Sequence, residues 1–158
     1  MKCKIEKALP GDHEILTAIS HRSKRYWNYP EEHMLLWTDE LTILPEYIFE
    51  HRVFKLLVGK KIIGFCAIED KRDHCEITHF WIEPEYIGRG FGRKLLQFVM
   101  QKVISAEVKV SVVADRKAEG FYSRHGFVKI DEVSGKIKNR WLPFMVNYNL
   151  GQVEEEGL

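Results

Sequence analysis

The chain has 158 residues, which is the length of one domain and leaves no room for a second catalytic one. Hydrophobic residues make up 45% and charged residues 30% of the sequence, a balance that is typical of folded globular proteins and argues against a disordered chain. The formal net charge of +1 argues against a nucleic-acid partner, and no apolar run approaches the ~20 residues of a membrane-spanning helix.

The first third of the chain is predicted to form a strand and then helices. Residues 2–9 are the expected first strand, and Asp12 is placed to cap the helix that follows. We expect that helix to fray near residues 26–28. Pro30 and Pro45 then mark the starts of a second helix and a short third one. The apolar positions of the first helix are Ile15, Leu16, Ala18 and Ile19.

The rest of the chain alternates between strands and helices. Strands are predicted at residues 53–58, 61–69, 74–82, 107–114, 127–133 and 141–150. Helices are predicted at residues 90–104 and 115–124. The strand–helix–strand order in the centre predicts a parallel pair within a mostly antiparallel sheet. We expect one domain over residues 1–150, followed by an acidic tail at residues 151–158.

Three glycines alternate where the strand at residues 74–82 gives way to a helix: Gly88, Gly90 and Gly92. Glycine lets the backbone approach a ligand closely, and free amides at a helix start attract anions. The loop therefore indicates either a diphosphate site or an ordinary turn. Its spacing matches neither a P-loop nor the GxGxxG dinucleotide pattern. The nearby cations are Arg89, Arg93 and Lys94.

A second segment, residues 114–127, favours the diphosphate interpretation. Together the two segments resemble the GNAT superfamily of acetyl-CoA-dependent N-acetyltransferases. Its members carry a Gln/Arg-x-x-Gly-x-Gly/Ala loop and, further along, an Asn-x-x-Ala-x-x-Phe-Tyr-x-x-x-Gly-Phe-like segment. The matching residues of the second segment are Ala118, Phe121, Tyr122, Gly126 and Phe127. Two positions depart from the family pattern: Ile87 replaces Gln or Arg, and Asp115 replaces Asn.

This resemblance covers residues 50–150 strongly and the first fifty weakly. It implies an α+β fold with a mixed, mostly antiparallel sheet of about six or seven strands, splayed between strands 4 and 5, with helices on both faces. It also implies an acyltransferase that uses acetyl-CoA, without a metal, to acetylate a primary amine of a small molecule by direct attack. The alternatives are acetylation of protein N-termini or lysines, and a non-catalytic acyl-CoA-binding regulatory domain. A homodimer is a further expectation, since family members often pair through their last strands.

The resemblance also assigns residues to the site. Tyr122 matches the tyrosine that protonates the departing thiolate, although a packed helix residue is the alternative. Main-chain amides near residues 80–82 would stabilise the oxyanion. The expected cofactor contacts are Phe80, Trp81, Ile82, Ile87, Gly88, Arg89, Gly90, Phe91, Gly92, Arg93, Asp115, Ala118 and Phe121.

Glu76 is the leading candidate for the base that deprotonates the amine. It lies six residues before Ile82, a spacing that resembles the catalytic glutamate of histone-acetyltransferase-type members. Strand alternation would place Glu76 on the same face as Phe80 and Ile82. His79 would then lie on the opposite face unless a bulge shifts the alternation. His79 and a water relay remain the alternatives.

The acceptor amine is expected to bind where the first helix breaks. Residues 23–29 are dense in aromatic and cationic side chains, which indicates either a small-ligand site or a packed aromatic corner. Lys24 or Arg25 would meet an acidic group of the ligand. The expected substrate contacts are Lys24, Tyr26, Trp27, Tyr29 and Arg140.

Three cysteines are present, and none of them forms a CxxC pair. Such a sparse, odd set argues against a disulfide framework or a zinc site and fits a reducing compartment. We therefore predict a cytoplasmic protein.

Overall fold

A seven-stranded sheet forms the centre of the computed structural model, which describes residues 2–150. The predicted tail at residues 151–158 lies outside the described residues. The strand order is β1-β2-β3-β4-β5-β7-β6. Neighbouring strands are antiparallel except for β4 and β5, which are parallel as predicted. The strands are β1 (Cys3–Lys7), β2 (Arg52–Val58), β3 (Lys61–Asp70), β4 (Cys75–Ile82), β5 (Val110–Val113), β6 (Val128–Ser134) and β7 (Trp141–Asn147).

Helices cover both faces of this sheet. Leu16 of α1 and Ile48 of α4 pack with Phe65 on one face, and Leu95 of α5 packs with Ile77 on the other. α5 continues into a π-helical segment, and no helix among residues 2–150 has the length and apolar character to cross a membrane. The helices are α1 (His13–Arg25), α2 (Glu31–Leu36), α3 (Thr38–Leu41), α4 (Pro45–Glu50), α5 (Phe91–Phe98) and α6 (Glu119–Arg124).

The break after α1 is where the sequence predicts it, because the helix ends at Arg25 and Asn28 adopts a φ of 60°. Asp12, however, does not cap α1 with its side chain. Its carboxylate accepts hydrogen bonds from the Leu9 amide and Lys55 Nζ, each at 2.8 Å. A preceding 3₁₀ turn already gives the first amide of α1 a carbonyl partner, so the predicted cap is not needed there.

The sheet opens between β4 and β5. The two strands pair only where Cys75–Ile77 faces Val110–Val112, although β4 continues to Ile82. β5 is shorter than predicted because Glu107 adopts a left-handed φ of 69° in the preceding turn. The open edge of β4 creates the space in which a ligand can enter the sheet.

A β-bulge at Thr78 reverses the alternation of side chains along β4. Ala67 of β3 pairs with His79, whereas the next residue, Ile68, pairs with Ile77, so Thr78 is the extra residue. As a result Ile77 and Phe80 belong to the same core, while His79 packs against Tyr47 and Phe65 on the opposite face.

The prediction that Glu76 shares a face with Phe80 is therefore wrong. Glu76 precedes the bulge and lies on the His79 face, where its carboxylate is 3.7 Å from Lys71 Nζ.

Candidate active site

A cleft of about 760 Å³ occupies the gap between β4 and β5. Its walls come from both faces of the sheet, because Phe80 and Tyr122 line it from one side and His79 and Trp81 from the other. The cleft has two chemically different ends, one at the glycine loop and one at the break after α1. It lies within the range of volumes that small-molecule sites occupy.

The glycine loop forms an open cradle at one end. Gly88 and Gly90 have φ values of 81° and 85°, and a Cβ at either position would have no neighbour within 4 Å. Gly90 directly precedes the first residue of α5. Among residues 2–150, the amides of residues 88–93 donate no hydrogen bond of normal geometry. These amides and the helix start can therefore receive a diphosphate.

Cationic side chains surround this end of the cleft. Arg93 and Arg124 line it beside His125, whose pKa is lowered by burial and by these two arginines. The positive field that disfavours a charged histidine also attracts an anion.

Two predicted cofactor contacts lie elsewhere. The Arg89 guanidinium lies 5.4 Å from the centre of the Tyr86 ring and does not line the cleft. Phe91 is buried in the core, so only its amide can contribute. Ile87 lines the cleft with an apolar side chain, so diphosphate binding depends on the main chain there.

Aromatic side chains form the middle of the cleft. The Phe121 ring lies 3.5 Å from the position that a Gly92 Cβ would occupy, and its centre is 5.3 Å from that of Tyr122. Phe80 touches both rings, and Ala118 lines the same wall.

Tyr122 lies in this wall and lines the cleft. The residue is only 4% exposed, and its hydroxyl makes no hydrogen bond within residues 2–150. Within that range, His33 Nδ1 is the one fully buried side-chain polar atom without a hydrogen-bond partner. The unpaired Tyr122 hydroxyl therefore keeps some exposed surface. Burial, together with the nearby Cys66 and Asp115, raises the pKa of Tyr122, so the phenol keeps its proton at neutral pH.

Beyond Ile77, the edge of β4 that faces the cleft has no strand partner among residues 2–150. In an antiparallel pair every second residue directs its amide away from the partner strand, so β4 presents amides to the cleft near Phe80, Trp81 and Ile82. All three residues, which the resemblance assigns to the cofactor, line the cleft. Such fixed donors can stabilise developing negative charge on an oxygen.

His79 lines the cleft from the face opposite Phe80, and its ring already accepts a hydrogen bond from a neighbouring side chain. Trp81 Nε1 donates a hydrogen bond to His79 Nδ1 at 3.1 Å, which assigns the ring proton of the neutral form to Nε2. Burial lowers the pKa of His79 to about 4. Glu76 does not line the cleft, so neither predicted base has a free lone pair directed into it.

The neutral state of His79 predicts that acid destabilises the fold. Below its ordinary pKa of 6.5 the unfolded chain binds a proton that the folded chain excludes until about pH 4. Lowering the pH from 7.5 to 5 should therefore cost about 2 kcal/mol of unfolding free energy at this site. We expect His79→Gln to remove that part of the pH dependence in urea unfolding measured at both pH values.

His13→Gln, at the start of α1 and outside the cleft, is the matched control and should keep the wild-type pH dependence. An unchanged pH dependence in His79→Gln would show that His79 is not buried in its neutral form.

A polar cluster forms the other end of the cleft, and we call Lys24, Tyr29, Asp115 and Arg140 the Asp115 cluster. The Asp115 carboxylate accepts hydrogen bonds from Lys24 Nζ at 2.6 Å and from Tyr29 Oη at 2.7 Å. Arg140 Nη2 lies 3.5 Å from the same carboxylate and donates to Tyr29 Oη at 2.9 Å. The side chains of Lys24, Asp115 and Arg140 are 10%, 13% and 15% exposed.

Burial alone would raise the pKa of Asp115, but Lys24, the Lys117 amide and Tyr29 together hold it below its ordinary value. The carboxylate therefore stays ionised. Its partners Lys24 and Tyr29 are residues expected to bind the acceptor, and the contact of Asp115 with the cofactor stays a prediction. The departure from Asn at this position provides the charge that Lys24 needs in a buried setting.

The structure places the remaining residues of the predicted acceptor site as follows. Trp27 lines the cleft, and Tyr29 lies behind the wall as a partner of Asp115. Tyr26 is about half exposed and does not line the cleft, because α1 ends before it and turns it to the surface. Arg25 is also outside and pairs with Glu31 at 2.9 Å.

Two residues of this end were not predicted from the sequence. The buried Trp37 carries Lys24 Nζ over its ring at 4.2 Å, and Lys117 Nζ lies 4.9 Å from the Tyr29 ring centre. A buried tryptophan between two short helices and an exposed lysine carry no local signal that would have identified them. Among residues 2–150, no group of three or more His, Cys, Asp or Glu side chains is arranged to hold a metal ion.

Comparison with known proteins adds a family match. The model of the acetyltransferase (GNAT) domain matches residues 49–129, which is just over half of the chain. The uncharacterized N-acetyltransferase YafP of Escherichia coli (strain K12) is 23% identical over 142 residues, covering 87% of this chain and 89% of that protein.

Two solved structures share the fold over nearly the whole chain. The PaiA N-acetyltransferase from Thermoplasma acidophilum, in complex with coenzyme A, has a TM-score of 0.76 at 20% identity, covering 94% of this chain and 99% of its own. A GCN5-related N-acetyltransferase from Rhodopseudomonas palustris has a TM-score of 0.76 at 19% identity, covering 94% of this chain and 96% of its own. At such low sequence identities, these two similarities show a shared fold and no more.

Proposed function

Because this chain belongs to the GNAT acetyltransferase family, we propose that it moves the acetyl group of acetyl-CoA onto the primary amine of a small-molecule acceptor. Family membership confirms the predicted fold, the acyltransferase class and acetyl-CoA as co-substrate. The observation that supports the finer proposal is one cleft that joins an anion cradle to a charged, aromatic pocket, with the Tyr122 hydroxyl on its wall.

The glycine loop fits the diphosphate of coenzyme A. Gly88 and Gly90 leave open the space that a Cβ would fill, and the neighbouring amides have no partner among residues 2–150. Arg93 and Arg124 add charge at the same end. The main chain therefore holds the diphosphate, and the loss of a side-chain donor at Ile87 is compensated by these arginines.

Bound acetyl-CoA supplies a thioester carbonyl that an amine can attack. The edge of β4 beyond Ile77 provides the fixed amides that stabilise negative charge on the carbonyl oxygen. One such donor contributes about 3 kcal/mol to a barrier of this kind. Because the donors belong to the main chain, the bulge and the splay position them without any special side chain.

Tyr122 donates a hydrogen bond to the departing sulfur. The pKa of the phenol is raised above its ordinary value, so full proton transfer to a thiolate, with an ordinary thiol pKa of ~8.5, is unfavourable. A hydrogen bond to developing charge needs no such transfer and contributes about 1.5–3 kcal/mol. Tyr122 thus stabilises the leaving group while keeping its own proton.

The acceptor amine loses its proton to water rather than to a side chain. Glu76 lies outside the cleft, and His79 Nδ1 already accepts the Trp81 hydrogen bond. Lys24 and Arg140 disfavour a further positive charge nearby, so an ammonium bound beside them has a lowered pKa. The field of the cleft therefore replaces a dedicated base, in line with the water-relay alternative.

The test is release of free thiol from acetyl-CoA in the presence of a panel of primary amines, read with a thiol dye. We expect turnover with at least one small amine, and a ten-fold or larger loss of kcat in Tyr122→Phe. The dissociation constant for coenzyme A should stay unchanged in that variant, because the hydroxyl acts on the sulfur only as the bond breaks.

The outcomes separate the candidate functions. Turnover of peptides alone would favour the protein acetyltransferase, and tight binding of coenzyme A without turnover would favour a regulatory domain. Wild-type kcat in Tyr122→Phe would remove the hydroxyl from the mechanism.

A homodimer also belongs to the proposal. The exposed apolar side chains of Val128 and Ile130 on the edge strand β6 support pairing through the last strands. The cytoplasmic location and the boundary of the domain at residue 150 stay predictions.

A further inference from the structure

The acceptor end of the cleft carries more positive charge than the carboxylates around it neutralise. Lys24, Lys117 and Arg140 meet at the Tyr29 ring, with the cationic groups 4.8, 4.9 and 5.0 Å from its centre. Asp115 is the one carboxylate in hydrogen-bond contact with this group among residues 2–150. Three cations and one anion leave an excess of two positive charges.

The second carboxylate at this end does not cancel that excess. Glu40 lines the cleft, but its carboxylate lies 3.6 Å from Lys136 Nζ and is half exposed. An exposed ion pair of this kind interacts weakly with charges further inside. The excess positive charge therefore faces the cleft itself.

Arg140 has donors that the rest of the protein does not use. Its Nη2 group donates to Tyr29 Oη at 2.9 Å, whereas Nε and Nη1 make no hydrogen bond within residues 2–150. Neither atom is fully buried, and the residue lines the cleft. The guanidinium also lies over the Tyr29 and Trp37 rings at 5.0 and 5.2 Å, which holds its plane in place. A fixed guanidinium with free N–H groups is a site for a carboxylate.

Lys24 cannot play the same role, although it was one of the two candidates from the sequence, with Arg25. Its ammonium is paired with Asp115 at 2.6 Å and covered by the Trp37 ring at 4.2 Å. Lys117 is exposed and donates a hydrogen bond to the Trp27 carbonyl. It therefore adds positive charge but does not offer a fixed set of donors to a ligand. Arg140 remains the residue with both charge and available donors.

Building on the proposed function, we propose that the acceptor is an amine that also carries a carboxylate, such as an amino acid, and that Arg140 binds this carboxylate. The Asp115 cluster is then a positioning device, because Asp115 and Tyr29 hold Arg140 in its orientation. The aromatic rings of Trp27 and Trp37 face the remainder of the ligand.

The experiment compares matched amines with and without a carboxylate: phenylalanine with phenethylamine, leucine with 3-methylbutylamine, and 4-aminobutyrate with butylamine. We expect kcat/KM to favour the carboxylated member of at least one pair by ten-fold or more. Arg140→Gln should lower kcat/KM for that member at least ten-fold more than for the matched amine that lacks a carboxylate. The kcat/KM of Arg140→Lys for the carboxylated amine should lie between those of the wild type and Arg140→Gln. Lysine keeps the positive charge but lacks the paired N–H donors of the guanidinium.

A binding measurement separates this inference from the proposed function. N-acetylphenylalanine should raise the melting temperature of the wild type more than N-acetylphenethylamine does, and Arg140→Gln should lose that difference. If no amine is acetylated but the difference in melting temperature depends on Arg140, the proposed function fails and the carboxylate site stands. If amines are acetylated without preference for a carboxylate and Arg140→Gln changes neither measurement, the inference is wrong and the proposed function stands.

Discussion

Asp115→Ala is expected to lower the free energy of unfolding by about 3–5 kcal/mol, because it leaves the Lys24 ammonium buried without a counter-charge. The Lys24 side chain is only 10% exposed, and its ion pair with Asp115 measures 2.6 Å. Tyr29 Oη and the Lys117 amide also lose their acceptor. Urea unfolding at neutral pH measures the effect.

Two variants make that result specific. Glu31→Ala breaks the exposed pair with Arg25, whose side chains are 56% and 68% exposed, and should cost no more than about 1 kcal/mol. Lys24→Met combined with Asp115→Ala removes both charges and should recover at least half of the loss. A cost for Asp115→Ala no larger than that of Glu31→Ala would show that the pair is not buried in solution.

Gly90→Val is expected to raise the dissociation constant for coenzyme A about 30-fold or more. The residue has a φ of 85° at the start of α5, in space that is open towards the cleft. A valine there resists the left-handed backbone and places methyl groups where the diphosphate approaches. Losing one charge-assisted hydrogen bond of about 2 kcal/mol accounts for the 30-fold change. Isothermal titration with coenzyme A measures the constant.

Gly59→Val is the matched control for this prediction. Gly59 has a φ of 59° in the hairpin between β2 and β3, also with no neighbour within 4 Å of a Cβ, but it lies outside the cleft. Both variants should lose similar stability, and only Gly90→Val should lose affinity. Equal affinity in the two variants would mean that the glycine loop does not hold the diphosphate.

The conformation of the glycine loop was predictable because it is specified by residues close together in the chain. The alternation of Gly88, Gly90 and Gly92 before an amphipathic helix specifies backbone conformation and free amides within a few residues. The break after α1 was predictable for the same reason. The parallel pair of β4 and β5 was predictable from the strand–helix–strand order of the elements.

The failures have a different physical origin. One inserted residue at Thr78 placed Glu76 on the face opposite Phe80, and no pattern within β4 marks that bulge. Tyr26 was grouped with Trp27 because they are neighbours in sequence, yet the helix end turns only Trp27 towards the cleft.

The sequence by itself determined the family, the fold class and the backbone conformation of the glycine loop, since these follow from local motifs and from the order of the elements. Only the tertiary structure decided the acceptor side. There Lys24 meets a carboxylate 91 positions away, and Arg140 reaches the same carboxylate from the connection just before β7. Charged side chains far apart in the sequence become partners only when folding brings them together and excludes water. Which residues pair, and which N–H groups remain without a partner, therefore depends on tertiary packing.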